Sequence, residues 1–340
     1  MTRYARRSRL AWLAALVSGS ATFVVVALVF VAVALGCYFA PGPGLPGKAD
    51  QVTVILRKGA GVAEVAGDLQ RAHVIANAPI FMALAEVTGA ARRLKPGEYA
   101  FASHSSVSRV LFKLRTGDIV HHRLTIPEGA SAKQVKDILD HSDVLVGETP
   151  DIEEGSVLPE TYDVLRGDTR ASVALRMTDD MDRTLAEFWD KRQADLPLHS
   201  PQEAVILASI VEKETGLDSD RPKVAAVYIN RLRLGMKLDA DPTVIYGLTK
   251  GLPLGHGIRS AELAQDTPYN TYLHVGLPPT AIANPSRASL AAVLDPPHTR
   301  DLYFVADGTG AAVFAATLDE HQKNVARWRE IERQRATQGK

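Results

Sequence analysis

Two glutamates, Glu212 and Glu214, close a long apolar run and are the carboxylates best placed for acid–base chemistry. The run begins at Ser200 and reads SPQEAVILASIVEKETG. Ser200 with Glu203 forms a capping-box pattern, the proline between them suits the first helical position, and Gly216 is placed to end the helix. These signals predict one helix of about four turns, with Glu214 in its last turn.

A helical projection separates the two glutamates. At about 100° per residue, Glu214 falls in the middle of an apolar face, whereas Glu212 falls on the far side. The apolar face comprises Ile206, Leu207, Ile210 and Val211, and the far side carries Val205 and Ala208. Desolvation on an apolar face raises the pKa of a carboxyl, and the dipole at a helix C-terminus acts in the same direction. The pattern therefore predicts that Glu214 is protonated near neutral pH, as a general acid for a glycosidic oxygen must be.

Geometry alone leaves one alternative open. Glu214 could instead face solvent at a frayed helix end and pair with Lys213 or Arg221. In that case it would have no chemical role.

The segments after this helix concentrate side chains that suit a carbohydrate. Asparagine, threonine and tyrosine can hydrogen-bond sugar hydroxyls, and an aromatic ring can cover a pyranose face. The candidate substrate contacts are Asp241, Thr243, Tyr246, Asn270 and Tyr272. Each of these segments could equally be an ordinary polar loop, and Asp241 before Pro242 has the chemistry of a turn.

The amino-acid composition excludes several functional classes of protein. The chain has 340 residues, with 39 basic and 39 acidic side chains, so it lacks the basic excess of a nucleic-acid binder. The single cysteine, Cys37, excludes an intramolecular disulfide framework and a cysteine-rich zinc site. The histidines lack the spacing of a zinc protease, so we expect no metal and no other cofactor; they include His256, His274, His298 and His321.

The N-terminus has the pattern of a membrane anchor. Four arginines within residues 1–9 precede an apolar segment, residues 10–37, which exceeds the roughly 20 residues that a helix needs to span a bilayer. This charge distribution predicts a cytoplasmic N-terminus and an extracytoplasmic remainder. A cleaved signal peptide would have a shorter apolar region, and a lipoprotein site at Cys37 is a second alternative.

The rest of the chain predicts an α+β fold in two parts. Residues 38–50, rich in proline and glycine, are interpreted as an extended linker that lifts the folded part off the membrane. Residues 51–120 form a small subdomain in which Val52, Val54 and Leu56 alternate as in a strand before a glycine and a helix. A similar strand–glycine–helix unit recurs around Gly129, which suggests a repeat or ordinary α+β packing. Residues 121–340 form a larger mixed α/β domain that contains the glutamates.

Several segments taken together resemble one known family. Residues 208–215, 223–232, 241–247, 270–272 and 276–279 closely resemble the endolytic murein transglycosylases (MltG/YceG-like family), and residues 158–162 and 302–306 fit the same pattern. The resemblance implies that residues 51–120 are LysM-like and that the catalytic residue is Glu214. It also implies endolytic cutting of peptidoglycan at the inner (plasma) membrane, and peptidoglycan synthases as partners.

The implied reaction needs one protein carboxylate. In a lytic transglycosylase, Glu214 would protonate the oxygen between N-acetylmuramic acid and N-acetylglucosamine. It would then accept the proton of the muramyl 6-hydroxyl as a 1,6-anhydro ring closes. Two alternatives remain: a hydrolytic muramidase, which needs a second, positioned base, and a non-catalytic peptidoglycan-binding scaffold. On this view, replacement of Glu212 is expected to be much milder than replacement of Glu214.

Overall fold

The computed structural model describes residues 22–338, and the chain divides after His121 into two compact units, the first unit and the second unit. The predicted cytoplasmic tail and residues 10–21 of the predicted membrane segment lie outside the described residues. Helix α1, Thr22–Phe39, has a mean hydropathy of 2.6. By length and composition it could cross a membrane, and it ends two residues beyond the predicted boundary at Cys37.

The linker does not stand free, and this part of the sequence interpretation is wrong. The amide of Gly42 donates to the carbonyl oxygen of His104 at 3.2 Å, and the amide of Leu45 donates to Ser103 Oγ at 3.2 Å. Leu45 is buried, and a 3₁₀ turn, Pro46–Lys48, leads into the first strand. A Cβ on Gly42 would lie 2.3 Å from the Ser105 carbonyl oxygen, so the backbone approaches closely because residue 42 has no side chain.

The first unit is built on one antiparallel strand pair. Its elements are β1 (Gln51–Leu56), α2 (Val62–Arg71), α3 (Ala78–Val87), β2 (Gly97–Ala102) and α4 (Val107–Thr116). The pairing runs from Gln51 opposite Ala102 to Leu56 opposite Gly97. The predicted alternation in β1 is confirmed, since Val54 and Leu56 join a core with Tyr99 and side chains from the three helices.

The second unit is mainly helical. Its elements are β3 (His122–Thr125), α5 (Ala132–Asp140), β4 (Thr161–Val164), α6 (Arg170–Asp190), α7 (Pro201–Glu214), α8 (Arg221–Arg233), α9 (Asp241–Thr249), α10 (Ser260–Leu263), α11 (Arg287–Leu294), β5 (Tyr303–Ala306), β6 (Ala312–Ala315) and α12 (Leu318–Gln338). β3 pairs with β4 and β5 with β6, both antiparallel. The fold is therefore mixed α/β, and the second strand–glycine–helix unit is confirmed as β3, Gly129 and α5.

Helix α7 lies at the centre of the second unit and packs against α6, α8, α9 and α11. The predicted boundaries are confirmed, with Ser200 Oγ accepting from the amide of Glu203 at 3.2 Å. Two details were wrong. The Glu203 carboxylate accepts from the amide of His199 and does not complete the capping box. The helix ends because Thr215 is extended, without a left-handed Gly216.

The division of α7 into a buried apolar face and an opposite far side is also wrong. Every residue from Ala204 to Val211 is buried, including Val205 and Ala208 on the supposed far side, because neighbouring helices surround α7. Similarly, the sequence around Asp241 does not form a turn. Asp241 and Pro242 are instead the first residues of α9, positions at which proline and an acidic side chain are favourable.

We expect Gly42→Ala to destabilise the first unit by about 1–3 kcal/mol, because the added methyl group must displace backbone at residue 105. Thermal unfolding of the full chain in detergent measures the loss, and limited proteolysis should show faster cutting within residues 40–47. Gly67→Ala is the control, since Gly67 lies inside α2 and a Cβ there makes only an ordinary contact, 3.6 Å from the Arg71 guanidinium. Equal stability of the two variants would contradict a packed linker.

Candidate active site

Glu214 is the last residue of α7, and its carboxyl is enclosed by protein although the residue as a whole is only partly buried. The phenol of Tyr228, on α8, hydrogen-bonds to this carboxyl. Tyr228 is itself 1% exposed, and its ring meets the ring of Phe304 edge-on at 5.9 Å. The donor to Glu214 is therefore held rigidly by the core.

The balance of burial and charge sets the acidity of Glu214. Burial raises its pKa to about 7, and the negative charge of Asp241 acts in the same direction. The hydrogen bond from Tyr228 and the positive charge of Arg231 act in the opposite direction. A carboxyl with this pKa can both donate and accept a proton near neutral pH, which is the requirement for an acid that later acts as a base.

Three of the predicted site residues come together here: Glu214, Asp241 and Tyr272. The hydroxyl of Tyr272 donates to Asp241 Oδ1 at 2.7 Å. The charges of both Asp241 and Glu214 raise the pKa of Tyr272 further above the value that its burial sets. Asp241 therefore lies within electrostatic reach of Glu214 and is held by a fixed partner.

Two predicted substrate contacts are buried instead, and this expectation is corrected. Thr243 is fully buried, with its hydroxyl donating to the carbonyl of Ala240 at 2.6 Å and lying 2.8 Å from Thr271 Oγ1. Asn270 is also fully buried. Its Nδ2 donates to two backbone carbonyls, and its Oδ1 accepts from the amide of Tyr272 at 2.9 Å. In the structure, Thr243 fixes the start of α9 and Asn270 fixes the loop that carries Tyr272.

Tyr246 belongs to a different group of side chains. Its phenol is hydrogen-bonded to Glu154, and its ring lies 4.9 Å from the ring of Tyr269. Lys250 Nζ lies 4.4 Å from the centre of the Tyr269 ring. Burial raises the pKa of Glu154, whose carboxylate also accepts from the amide of Ala132 at 2.8 Å. Tyr246 thus belongs to a group of side chains formed with Glu154 and Tyr269.

Arg231 is a site residue that the sequence interpretation missed. It is 8% exposed, and its guanidinium donates to the carbonyls of Leu302 at 2.7 Å and Leu238 at 2.8 Å. It also donates to Asp239 Oδ2 at 3.1 Å. A buried charge needs such partners. The sequence signal for Arg231 was the position of an arginine within the apolar pattern of α8. The sequence contains no comparable signal that pairs Tyr228 with Glu214.

Glu212 has a structural position. Its Oε2 accepts from the amide of Ser286 at 2.8 Å and from the hydroxyl of the same residue at 2.6 Å, which ties α7 to the start of α11. The Arg221 guanidinium lies 3.9 Å from Glu212 Oε1 and 3.0 Å from Asp218. Lys213 donates to the Gly129 carbonyl. The alternative in which Glu214 pairs with Lys213 or Arg221 is therefore contradicted.

The histidines do not assemble into a metal site within residues 22–338, where no group of three or more histidine, cysteine or acidic side chains could hold an ion. His256 lies 3.5 Å from Glu262 and His274 lies 2.7 Å from Asp266. His321 stacks on Tyr303 at 5.0 Å.

We expect Asp241→Asn to lower the pKa of Glu214, because it removes a negative charge that opposes ionisation. Titration of the glutamate side-chain carboxyl signals by carbon NMR measures the change, with Glu214→Gln assigning the signal. Tyr272→Phe retains the charge of Asp241 and should leave most of the elevation in place. Asp182→Asn removes an exposed charge on α6 and is the control. An unchanged Glu214 titration in Asp241→Asn would contradict the coupling.

Comparison with known proteins agrees with the resemblance seen in the sequence. A Bacillus subtilis protein named endolytic murein transglycosylase is 29% identical over 304 residues, which cover 80% of this chain and 83% of the relative. A Streptococcus pneumoniae protein of the same name is 29% identical over 325 residues, but the chain spans only 58% of its length. The crystal structure of a yceG-like protein from Listeria monocytogenes matches with 27% identity and a TM-score of 0.51, covering 81% of this chain and 98% of that one. The model of the YceG-like family matches residues 54–327, and the chain therefore belongs to this family.

Proposed function

We propose that this chain is a membrane-anchored lytic transglycosylase that cleaves peptidoglycan strands between N-acetylmuramic acid and N-acetylglucosamine, with Glu214 as its acid and base. The observation that carries the proposal is the enclosed Glu214 carboxyl, whose pKa is raised to about 7. The names of the relatives from Bacillus subtilis and Streptococcus pneumoniae support the substrate class and an endolytic action.

In the first half of the reaction, protonated Glu214 donates its proton to the glycosidic oxygen as the bond to the muramyl C1 breaks. Positive charge then develops on the sugar ring. The Asp241 carboxylate, oriented by Tyr272, is the available negative group near Glu214 that could stabilise this charge.

In the second half, the ionised Glu214 accepts the proton of the muramyl 6-hydroxyl while the oxygen of that group bonds to C1. A 1,6-anhydro ring results, the glutamic acid is regenerated and no water is consumed. Tyr228 favours this half, because its hydrogen bond stabilises the ionised carboxylate.

A hydrolytic muramidase is the second candidate, and the position of Asp241 favours it. Such an enzyme needs a second carboxylate to activate water or to attack the sugar. Asp241 has the proximity for this role, although its hydrogen bond from Tyr272 occupies one of its oxygens.

The remaining parts of the chain are assigned by the same proposal. Residues 51–120 would be a LysM-like glycan-binding subdomain, which the strand–helix–helix–strand order from β1 to β2 supports. Residues 121–340 would be the catalytic domain. Residues 10–37 would form the single anchor in the inner (plasma) membrane, with residues 1–9 cytoplasmic, residues 38–50 as the connection and the remainder extracytoplasmic. Peptidoglycan synthases would be partners of this enzyme.

Product analysis separates the two reactions. We expect the full-length protein to release fragments with 1,6-anhydro ends from purified glycan strands, as measured by mass spectrometry. Glu214→Gln should lower the rate by about 10²–10⁴-fold, because it removes the general acid. Reducing ends in place of anhydro ends, with equal loss in Asp241→Asn, would identify a muramidase. Undiminished release of anhydro ends by Glu214→Gln would refute the role of Glu214.

Stability gives an independent test that needs no substrate. The pKa of Glu214 is raised from 4.5 to about 7, so its stabilisation of the fold is complete below about pH 4.5 and declines as the pH rises to about 7. Glutamine stays neutral and avoids that decline. Glu214→Gln should therefore be more stable than the parent at pH 8, by up to about 3 kcal/mol, and of similar stability near pH 4.

Glu212→Gln is the matched comparison and should show the opposite pattern. It weakens the bonds to Ser286 and removes the charge that faces Arg221, so we expect a loss of about 1–3 kcal/mol in the free energy of unfolding. The activity of the folded fraction should be retained. Chemical unfolding at pH 4 and pH 8 measures both variants. A Glu214→Gln protein that is less stable than the parent at pH 8 would contradict an enclosed carboxyl with a raised pKa.

A further inference from the structure

The first unit has a polar cavity at the C-terminal end of α1. The cavity has a volume of about 790 Å³ and is lined by aromatic, polar and basic side chains. Tyr38 and Phe39 of α1 form one part of its wall, and Arg109, Phe112 and Arg115 of α4 form another. A potential membrane span thus ends directly at a positively charged cavity.

An apolar groove of about 580 Å³ lies next to this cavity, between α1 and α3. Its wall comprises mainly apolar side chains, among them Phe30, Leu35, Ile80, Ala83, Leu84 and Val87. α3 leaves Ile80 42% exposed and Val87 87% exposed on this side. Tyr38, Phe39 and Thr88 line both the groove and the cavity, so the two spaces lie side by side.

The charge of the cavity is uncompensated by protein. Arg109 and Arg115 are exposed, and no ion pair joins either of them to a carboxylate among residues 22–338. The hydroxyl-bearing residues Thr88, Ser106 and Ser108 line the same wall. Two guanidinium groups beside hydroxyl donors suit a phosphate, which arginine binds with directed hydrogen bonds.

We propose that the cavity and the groove together bind one anionic phospholipid of the bilayer that α1 crosses. The phosphate of the headgroup contacts Arg109 and Arg115, and an acyl chain lies along the groove between α1 and α3. This inference rests on the proposed membrane anchoring. The occupant must carry both a negative group and a long apolar chain, and a wall glycan has no such chain.

The position of the aromatic residues agrees with this assignment. Tyrosine is enriched at the level of lipid headgroups, and Tyr38 lies where the apolar segment ends. Tyr38 also packs against the core of the first unit, so the end of α1 is fixed to the cavity that it lines. A lipid bound there would hold the first unit on the membrane surface.

Native mass spectrometry of the full-length protein in detergent tests the proposal. Phosphatidylglycerol and phosphatidylethanolamine are added in turn, and the ratio of lipid-bound to free protein is measured. We expect several-fold more bound phosphatidylglycerol, and we expect Arg109→Gln with Arg115→Gln to remove this preference. Ala83→Glu, which places a carboxylate in the exposed groove without entering the core, should reduce binding of both lipids.

Arg92→Gln with Arg93→Gln is the matched control, because it removes two exposed charges of the same unit outside the lining of the cavity. Equal retention of the two lipids by the parent protein would refute the lipid site. Equal loss of the phosphatidylglycerol preference in the two double arginine variants would refute it as well. Flotation with neutral vesicles tests the anchor separately. If the protein inserts into neutral vesicles but shows no headgroup preference in the mass spectrum, the anchor is supported and the lipid site is refuted. For a chain that does not insert, the anchor fails, and the mass spectrum still decides whether the lipid site exists.

Discussion

The burial of α7 from Ala204 to Val211 is the constraint on which the second unit depends. Four other helices surround α7, so a polar group in or next to this stretch cannot reach water and must find a protein partner. Ser209 accepts from the amide of Ile282 at 3.0 Å, and Glu212 accepts from Ser286. These bonds fix the segment that leads into α11. Glu214, two residues after Glu212, is the residue whose partner, Tyr228, leaves it able to exchange a proton.

The acidity of Glu214 then follows from opposing influences of known origin. Burial and Asp241 raise the pKa, whereas Tyr228 and Arg231 lower it. Arg231 is bound to the carbonyls of Leu238 and Leu302 and to Asp239, so its charge cannot approach Glu214 more closely and ionise it fully. Asp241 is held in the same way by Tyr272. The surrounding side chains are thus fixed by bonds to other elements, and this fixes the field at the carboxyl.

The parts of this arrangement that lie within one element could be predicted from the sequence. The boundaries of α7, the alternation of β1 and the apolar character of α1 follow from periodicity and capping, which are local. The sequence also singled out Glu214, whose carboxyl the structure encloses and whose pKa is raised, although the two-face argument was incomplete. Val205 and Ala208 are as buried as the residues on the supposed apolar face, so the projection selected Glu214 on partly wrong grounds, and its catalytic role stays a proposal that the resemblance supports.

Contacts between elements could not be predicted in this way. The bond between Tyr228 and Glu214 depends on how α8 packs against α7, and the burial of Thr243 and Asn270 depends on the loop around Thr271. Composition was misleading for the linker, because proline and glycine describe both a free spacer and a segment that packs closely. Gly42 shows the difference: its missing side chain serves close approach to Ser105 and not flexibility. A glycine can therefore make a segment flexible or allow it to pack closely, and the residues that surround it determine which of the two occurs.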